Sequence, residues 1–553
     1  MAASGHYLAT QAALAVLDGG GNAIDAGVAG ALVLGVVQSE YVHIAGVAPI
    51  MIRLAGGEVL TLSGLGWWPA LSSAAYFREH HGGRIPAGIK RAVVPGAPDA
   101  YLTALQNYGT LSFGEVAAAA IRFAEQGFPV STLMAEIIDD RSAEFLAWPE
   151  NPRVYMPGGA IPEPGSLLKL PDLARSMRYM ADQETAAGSR SAGLDAARHA
   201  FYRGDIAREI DRFHRDNDGW LRMEDLAAFR VEVEKPVRTR YRGADVYTCG
   251  CWCQGPVLAE ALNFIDPAEI AEARHNSSPY LHRAVEALKL AFADRDAYYI
   301  DPRFGNPPID RLVSADYAEK RRRLIDPLRA NPGMPEPGSP EDLGLTPKLP
   351  QPAEWADPDL DTSYICTVDE AGNAFSCTPS DGCLSGPMVP GLGLNPSARG
   401  GQSWTDPDHP ACLAPGKRPR LTPSPAFAEA PGEWFMPFGS PGNDVQPQAM
   451  LQVFLNIVEF GMPVGEAIMQ PRCASYSFPA TSDPHRYHPG RLSIESRVDG
   501  AVIEELRALG HDVKTWPAWE WRAGSVCAIR SDQRSGVMEG GSDLRRPGGV
   551  AGY

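Results

Sequence analysis

Two stretches hold residue types that, brought together, could attack a carbonyl. The first is Asp361-Thr362-Ser363-Tyr364-Ile365-Cys366-Thr367-Val368-Asp369, which sets a hydroxyl residue at the start of an alternating run. A threonine there is an ordinary strand residue unless the chain is cut just before it. Once cut, Thr362 carries its own amine, with an unperturbed pKa of about 7.7–8.0. That amine can take the proton of the threonine hydroxyl, directly or through water, and leave a nucleophilic oxygen. The bond between Asp361 and Thr362 is therefore the expected self-cleavage site.

The second stretch is Gly439-Ser440-Pro441-Gly442-Asn443-Asp444, just ahead of an apolar helical run at 446–460. A glycine-rich turn entering a helix leaves backbone N–H groups without intrahelical acceptors, which suits a developing negative charge. Gly442 and Asn443 sit where such an anion pocket would form. Taken alone, the turn is most simply conformational. Next to a threonine nucleophile it supplies the complementary half, donors for a tetrahedral oxyanion.

The elements that must position these groups are legible in outline. Residues 8–37 read as two small-residue helices broken at Gly19-Gly20-Gly21, with Asn22 capping the second. Runs at 51–54 and 59–63 flank Ala55-Gly56-Gly57-Glu58 as a hairpin. Helices are expected over 112–127, 257–265 and 281–299, the last with His282 as a packing or surface residue. The stretch 327–360 carries nine prolines and reads as a linker. Strands follow at 364–369, 374–379, 434–439 and 526–531. Hairpins with helices on both sides of the linker predict an α+β protein of sheets covered by helices.

Composition sets exclusions. With 50 basic and 67 acidic residues, a net charge of −17, the chain lacks the broad basic face of a nucleic-acid binder. The longest charge-free apolar run, 26–37, is shorter than the roughly 20 residues of a membrane span. Neither nucleic acid nor membrane is an expected partner. The start of the chain shows no signal-peptide pattern, and its nine cysteines are odd in number, which suits reduced thiols in a cytoplasmic setting. Cys249-Gly-Cys251-Trp-Cys253 invites a metal, but alternating spacing without a second pair matches no usual zinc pattern, so structural thiols are expected.

The motifs, taken in order, carry a resemblance. They are Gly19-Gly-Gly-Asn-Ala-Ile-Asp-Ala-Gly-Val-Ala, Val94-Pro-Gly-Ala-Pro-Asp-Ala, Glu286-Ala-Leu-Lys-Leu-Ala-Phe-Ala-Asp-Arg, Pro415-Gly-Lys-Arg-Pro, Gly439-Ser-Pro-Gly and Gly540-Gly-Ser-Asp-Leu-Arg-Arg. Over nearly its whole length the chain resembles the γ-glutamyltranspeptidase family of N-terminal-nucleophile hydrolases. The resemblance implies a four-layer αββα sandwich made as a proenzyme. It also implies a large region 1–361 ending in the proline-rich linker (about 327–361) and a small region 362–553, intertwined as one domain. Thr362 maps to the nucleophile, Ser380 to a hydroxyl beside it, and Gly442 and Asn443 to the oxyanion hole. No cofactor or metal is implied. The reactants are a small-molecule amide and a water or amine acceptor, and a further oligomer of the paired subunits is left open.

Three departures bear on specificity. The arginine with which the family grips a γ-glutamyl carboxylate falls on Leu65, a paired-serine position falls on Leu421-Thr422, and an aspartate for the α-amino group falls near Gly400. Losing a carboxylate's bidentate partner typically costs several kcal/mol of binding. The expectation is thus an amide-cleaving acyl-enzyme chemistry on Thr362, not tuned to a γ-glutamyl donor. The alternatives are a true γ-glutamyltransferase (glutathione hydrolase) and a catalytically silent binding homologue. Leu65, Thr422, Arg399 and Arg420 are the expected substrate contacts. Both arginines could instead face solvent. Trp67 and Trp68 either wall an apolar pocket or belong to the core.

Overall fold

The computed structural model describes residues 1–338, 350–355 and 362–553; Asp361 and the centre of the proline-rich linker lie outside them. Two sheets face one another. The first has seven strands in the order Gly549–Ala551, Ala2–Ser4, Ile365–Val368, Ala374–Cys377, Ile50–Arg53, Val59–Leu62, Val233–Glu234. The second has six, Met538–Ser542, Cys527–Asp532, Trp434–Gly439, Ala426–Ala430, Ala244–Thr248 and Val237–Tyr241. Strands from both sides of the linker contribute to each sheet. Ala3, for example, pairs with both Cys366 and Val550.

The period-2 pattern of the strands produces the layers. Ile365, Phe375, Ile50 and Ile52 point outward into a core shared with helices Tyr7–Asp18 and Ala23–Val37. Their neighbours Cys366, Val368, Ala374 and Met51 point inward, against Phe427, Phe435 and Ile529 of the second sheet. The outer side of that sheet, with Ala428, Met436 and Phe438, packs under helices Gly255–Phe264, Ser278–Tyr298 and Gln446–Val458. The order is helix, sheet, sheet, helix. Two glycines permit the close approach of the first helical layer: a Cβ on Gly27 would lie 2.1 Å from the Phe375 ring, and one on Gly30 would lie 2.1 Å from Ile365 Cδ1. Asn22 begins that helix as its spacing predicts, its Oδ1 accepting from the N–H groups of Ile24 and Asp25 at 2.9 and 3.0 Å.

Cys249 and Cys253 are buried in the inter-sheet core and Cys251 in the core beneath the helices of the second sheet, where burial pushes its thiol up to about 12. All three side chains are buried. His282 is wholly buried, with Nδ1 2.9 Å from His511 Nε2. It packs, and it does not face solvent. Glu286 completes a histidine–carboxylate group around it. That carboxylate is already committed, to Lys289 Nζ at 2.7 Å and to the Asn331 N–H at 3.1 Å, which disfavours a metal.

Candidate active site

Thr362 stands where the chain enters strand Ile365–Val368, fully buried and with φ +90°. That conformation is strained for a β-branched residue and persists only where the surroundings impose it. Here its N–H donates to Tyr41 C=O at 3.1 Å, and its own C=O accepts from Arg546 at 2.8 Å. Its Oγ1 lies 2.6 Å from Ser380 Oγ. Ser380 is fixed by the antiparallel bridge to Val47, and its Oγ also accepts from the Arg399 guanidinium. Arginine can only donate. Ser380 Oγ keeps its proton and a second lone pair, so either hydroxyl can donate in this pair, and the Ser380 proton can serve Thr362 Oγ1 once that oxygen gives up its own.

Arg399 is aimed from its other side by Asp381, 3.8 Å from Nε. Asp381 is in turn held by the Ser397 hydroxyl and the Ala398 N–H. The Gly442–Asn443 turn has positive φ at both residues, 120° and 49°, and feeds helix Gln446–Val458. Thr422 locks this turn: its hydroxyl donates to Asn443 Oδ1 at 3.1 Å and accepts from Gln402 at 2.8 Å. Gln254 braces it from beneath through the carbonyls of Thr422 and Asn443.

A polar cavity of about 50 Å³ lies among these groups, with Arg399, Asn443, Gln402, Arg91, Arg141 and Glu40 in its wall. Burial pushes the Glu40 carboxyl up to about 8, a rise only partly offset by Arg546. Arg399, Ser380, Thr362, Gly442, Asn443 and Thr422 thus gather in one place.

Other expected contacts sit elsewhere. Arg420, expected at the substrate or in solvent, is buried in neither position. It donates to Asp296 at 3.0 Å and to the Arg295 carbonyl at 3.2 Å. Burial works to raise the Asp296 carboxyl, but His409, Arg420 and Arg295 together outweigh it and hold it below the usual range. An arginine already paired inside the fold is in no position to receive an anion. Leu65 packs in the inter-sheet core with Val47, Tyr364 and Leu421 and is not in the cavity wall. Trp68 is core, its Nε1 on Ser403, while half-buried Trp67 lies against Phe229 beneath Arg303. Neither tryptophan walls the pocket.

Sequence reasoning missed Glu40, Arg91, Arg141 and Arg546. For Arg546 a signal existed, since it closes the Gly540–Arg546 motif. Arg141 came from a stretch whose mixed pattern carried none.

A threonine entering a strand of an αββα sandwich, with a hydroxyl partner and an anion turn beside it, defines an N-terminal-nucleophile hydrolase. The family profile described as Gamma-glutamyltranspeptidase matches residues 9–553, and the chain belongs to that family. It is 30% identical to the glutathione hydrolase-like YwrD proenzyme of Bacillus subtilis, over 100% of this chain and 98% of that protein. Identity to the oxamate amidohydrolase proenzyme of Klebsiella pneumoniae is also 30%, again over 100% and 98%. The cephalosporin acylase structure from Bacillus halodurans superposes with a TM-score of 0.85 at 28% identity, covering 100% of this chain and 95% of that one. The relatives are enzymes made as proenzymes, and this chain is an enzyme of their class. Among the described residues no helix is long and apolar enough to cross a membrane.

Proposed function

We propose that the chain cuts itself before Thr362 and that the mature enzyme cleaves amides whose acyl group carries a carboxylate. The observation that carries this reading is the hydrogen-bonded run Arg399–Ser380–Thr362, whose Arg399 end lies with Asn443 in the wall of a small polar cavity. The freed Thr362 amine takes the hydroxyl proton, Oγ1 adds to the carbonyl carbon, and the Gly442–Asn443 backbone stabilises the oxyanion. The C–N bond breaks, the amine leaves with the proton, and water resolves the ester. Arg399, with Arg91 and Arg141 in the same wall, supplies cationic character for an acyl-side carboxylate.

The cavity is small, which favours a short acyl group. That agrees with the oxamate named for one relative. A γ-glutamyl donor is disfavoured because Leu65 is core. The test is a substrate comparison on processed enzyme: a short carboxylate-terminated amide, its neutral methyl ester and a γ-glutamyl anilide. Preference for the first by at least about tenfold in kcat/KM is expected, the worth of roughly 1.4 kcal/mol. Preference for the anilide would restore a true γ-glutamyltransferase. Turnover of none would leave a binding homologue.

A further inference from the structure

The oxyanion turn has a second cavity on its other side. About 60 Å³ in volume, it shares Asn443, Ser482 and Asp483 with the polar cavity and adds Trp355, Tyr476 and Phe478. Its character is different. Trp355 meets Tyr476 edge-on at 5.1 Å and lies at 5.0 Å from the His488 ring, with the Arg491 guanidinium 4.0 Å from its own centroid. Phe478 is stacked on Phe292 at 3.6 Å. The carboxylates in the wall are engaged already, Asp444 by Arg295 and Thr481, Asp483 by Arg84 and the Ile85 N–H. Besides Arg486, Asn443 and Ser482, what remains is aromatic (Trp355, Tyr476, Phe478, His488) or small and apolar.

Trp355 belongs to the stretch just upstream of the expected cut. Its segment is tied to the neighbouring wall: Ala353 N–H donates to Tyr487 C=O at 3.0 Å, and Ala353 C=O lies 3.0 Å from His488 Nδ1. These ties do not involve the bond before Thr362, and we take them to hold in the cut chain.

We infer that this second cavity takes the amine portion of the substrate, an aromatic ring or similarly flat apolar group, and that Trp355 is its specificity-determining wall. The inference rests on the reading of Thr362 and the Arg399 cavity given above. A carbonyl carbon attacked by Thr362 must lie against the Gly442–Asn443 turn, where the two cavities meet. An acyl carboxylate drawn toward Arg399 directs the other substituent of that carbon, the amine, to the aromatic side. When the C–N bond breaks, the amine departs through this cavity with the proton that left Thr362 Oγ1. Flat π faces and edges at these spacings favour a ring over a polar amine.

The experiment uses processed enzyme carrying Trp355→Ala or Trp355→Phe, with completeness of processing read on a denaturing gel. Two substrates share one carboxylate-terminated acyl group: the anilide, and the primary amide whose leaving group is ammonia. Trp355→Ala is expected to lower kcat/KM for the anilide about tenfold, mainly through KM, and to leave the primary amide unchanged. Trp355→Phe should recover most of the loss. Equal losses on both substrates would make Trp355 merely structural and overturn the proposal, as would an anilide rate that does not move. Failure of the underlying reading looks different: the wild-type enzyme would leave both amides intact, and the proposal would fall with it.

Discussion

Arg399 and Arg420 are both buried, only 21 positions apart, and indistinguishable by residue type. Arg399 donates to Ser380 beside Thr362 and forms part of a cavity wall. Arg420 sits among Asp296, Arg295 and His409, with its anion supplied from within. What distinguishes them is the partner the fold provides. Arg420 is hydrogen-bonded to its buried carboxylate at 3.0 Å and lines no part of the polar cavity, whereas Arg399 stands 3.8 Å from Asp381, donates to a hydroxyl and reaches the cavity wall. The same division separates the polar cavity from the ion-pair layer around Asp444, Arg295 and Thr481 that supports the Gly442–Asn443 turn.

The largest expected effect breaks the Arg399 side. Arg399→Ala should lower kcat/KM by about 10²–10³-fold, the usual scale for removing one group that stabilises developing charge, with a smaller loss of melting temperature than Arg420→Ala because Asp381 keeps the Ser397 hydroxyl and the Ala398 N–H. Steady-state kinetics beside a thermal melt would check both halves. Arg420→Ala should do the reverse. Removing one member of a buried pair costs about 3–5 kcal/mol, so denaturant unfolding should show a large loss while activity per folded molecule persists. A variant that loses activity without losing stability would place Arg420 in the chemistry after all.

The same pair carries a pH dependence. The Asp296 carboxyl is held below its unfolded value near 3.8, so its contribution is present above that pH and is lost as pH falls through the folded value. Acid unfolding of Arg420→Ala should begin at higher pH than that of the wild type. The smallest effect concerns Glu40, whose folded value is pushed from 4.5 to about 8. The fold holds its proton more tightly than the unfolded chain does, so its burden on stability grows as pH rises from 4.5 to about 8. Glu40→Gln should therefore melt higher than wild type at pH 9 and alike at pH 4.

Much of this could be read from the chain. Alternation at 364–369 and 374–379 placed the central strands, and the glycine run before an apolar stretch placed the turn that feeds helix Gln446–Val458, because both are local patterns. Asn22 capped its helix for the same reason. The pocket wall was less legible. Leu65 went to the inter-sheet core and Arg420 to Asp296, contacts between residues far apart in sequence that no local period records. Glu40 and Arg91 join the wall through loops, where side-chain direction follows tertiary packing. Gln402 lay three residues from Arg399 without a pattern to mark its bond to Thr422.

The central claim is that Thr362 becomes a chain terminus and then the nucleophile. The most direct measurement is a denaturing gel with N-terminal sequencing of purified wild-type and Thr362→Ala protein. The account predicts two wild-type fragments, the smaller beginning at Thr362, and a variant that remains a single intact chain. An uncut wild-type chain, or a variant cut at the same bond, would contradict it.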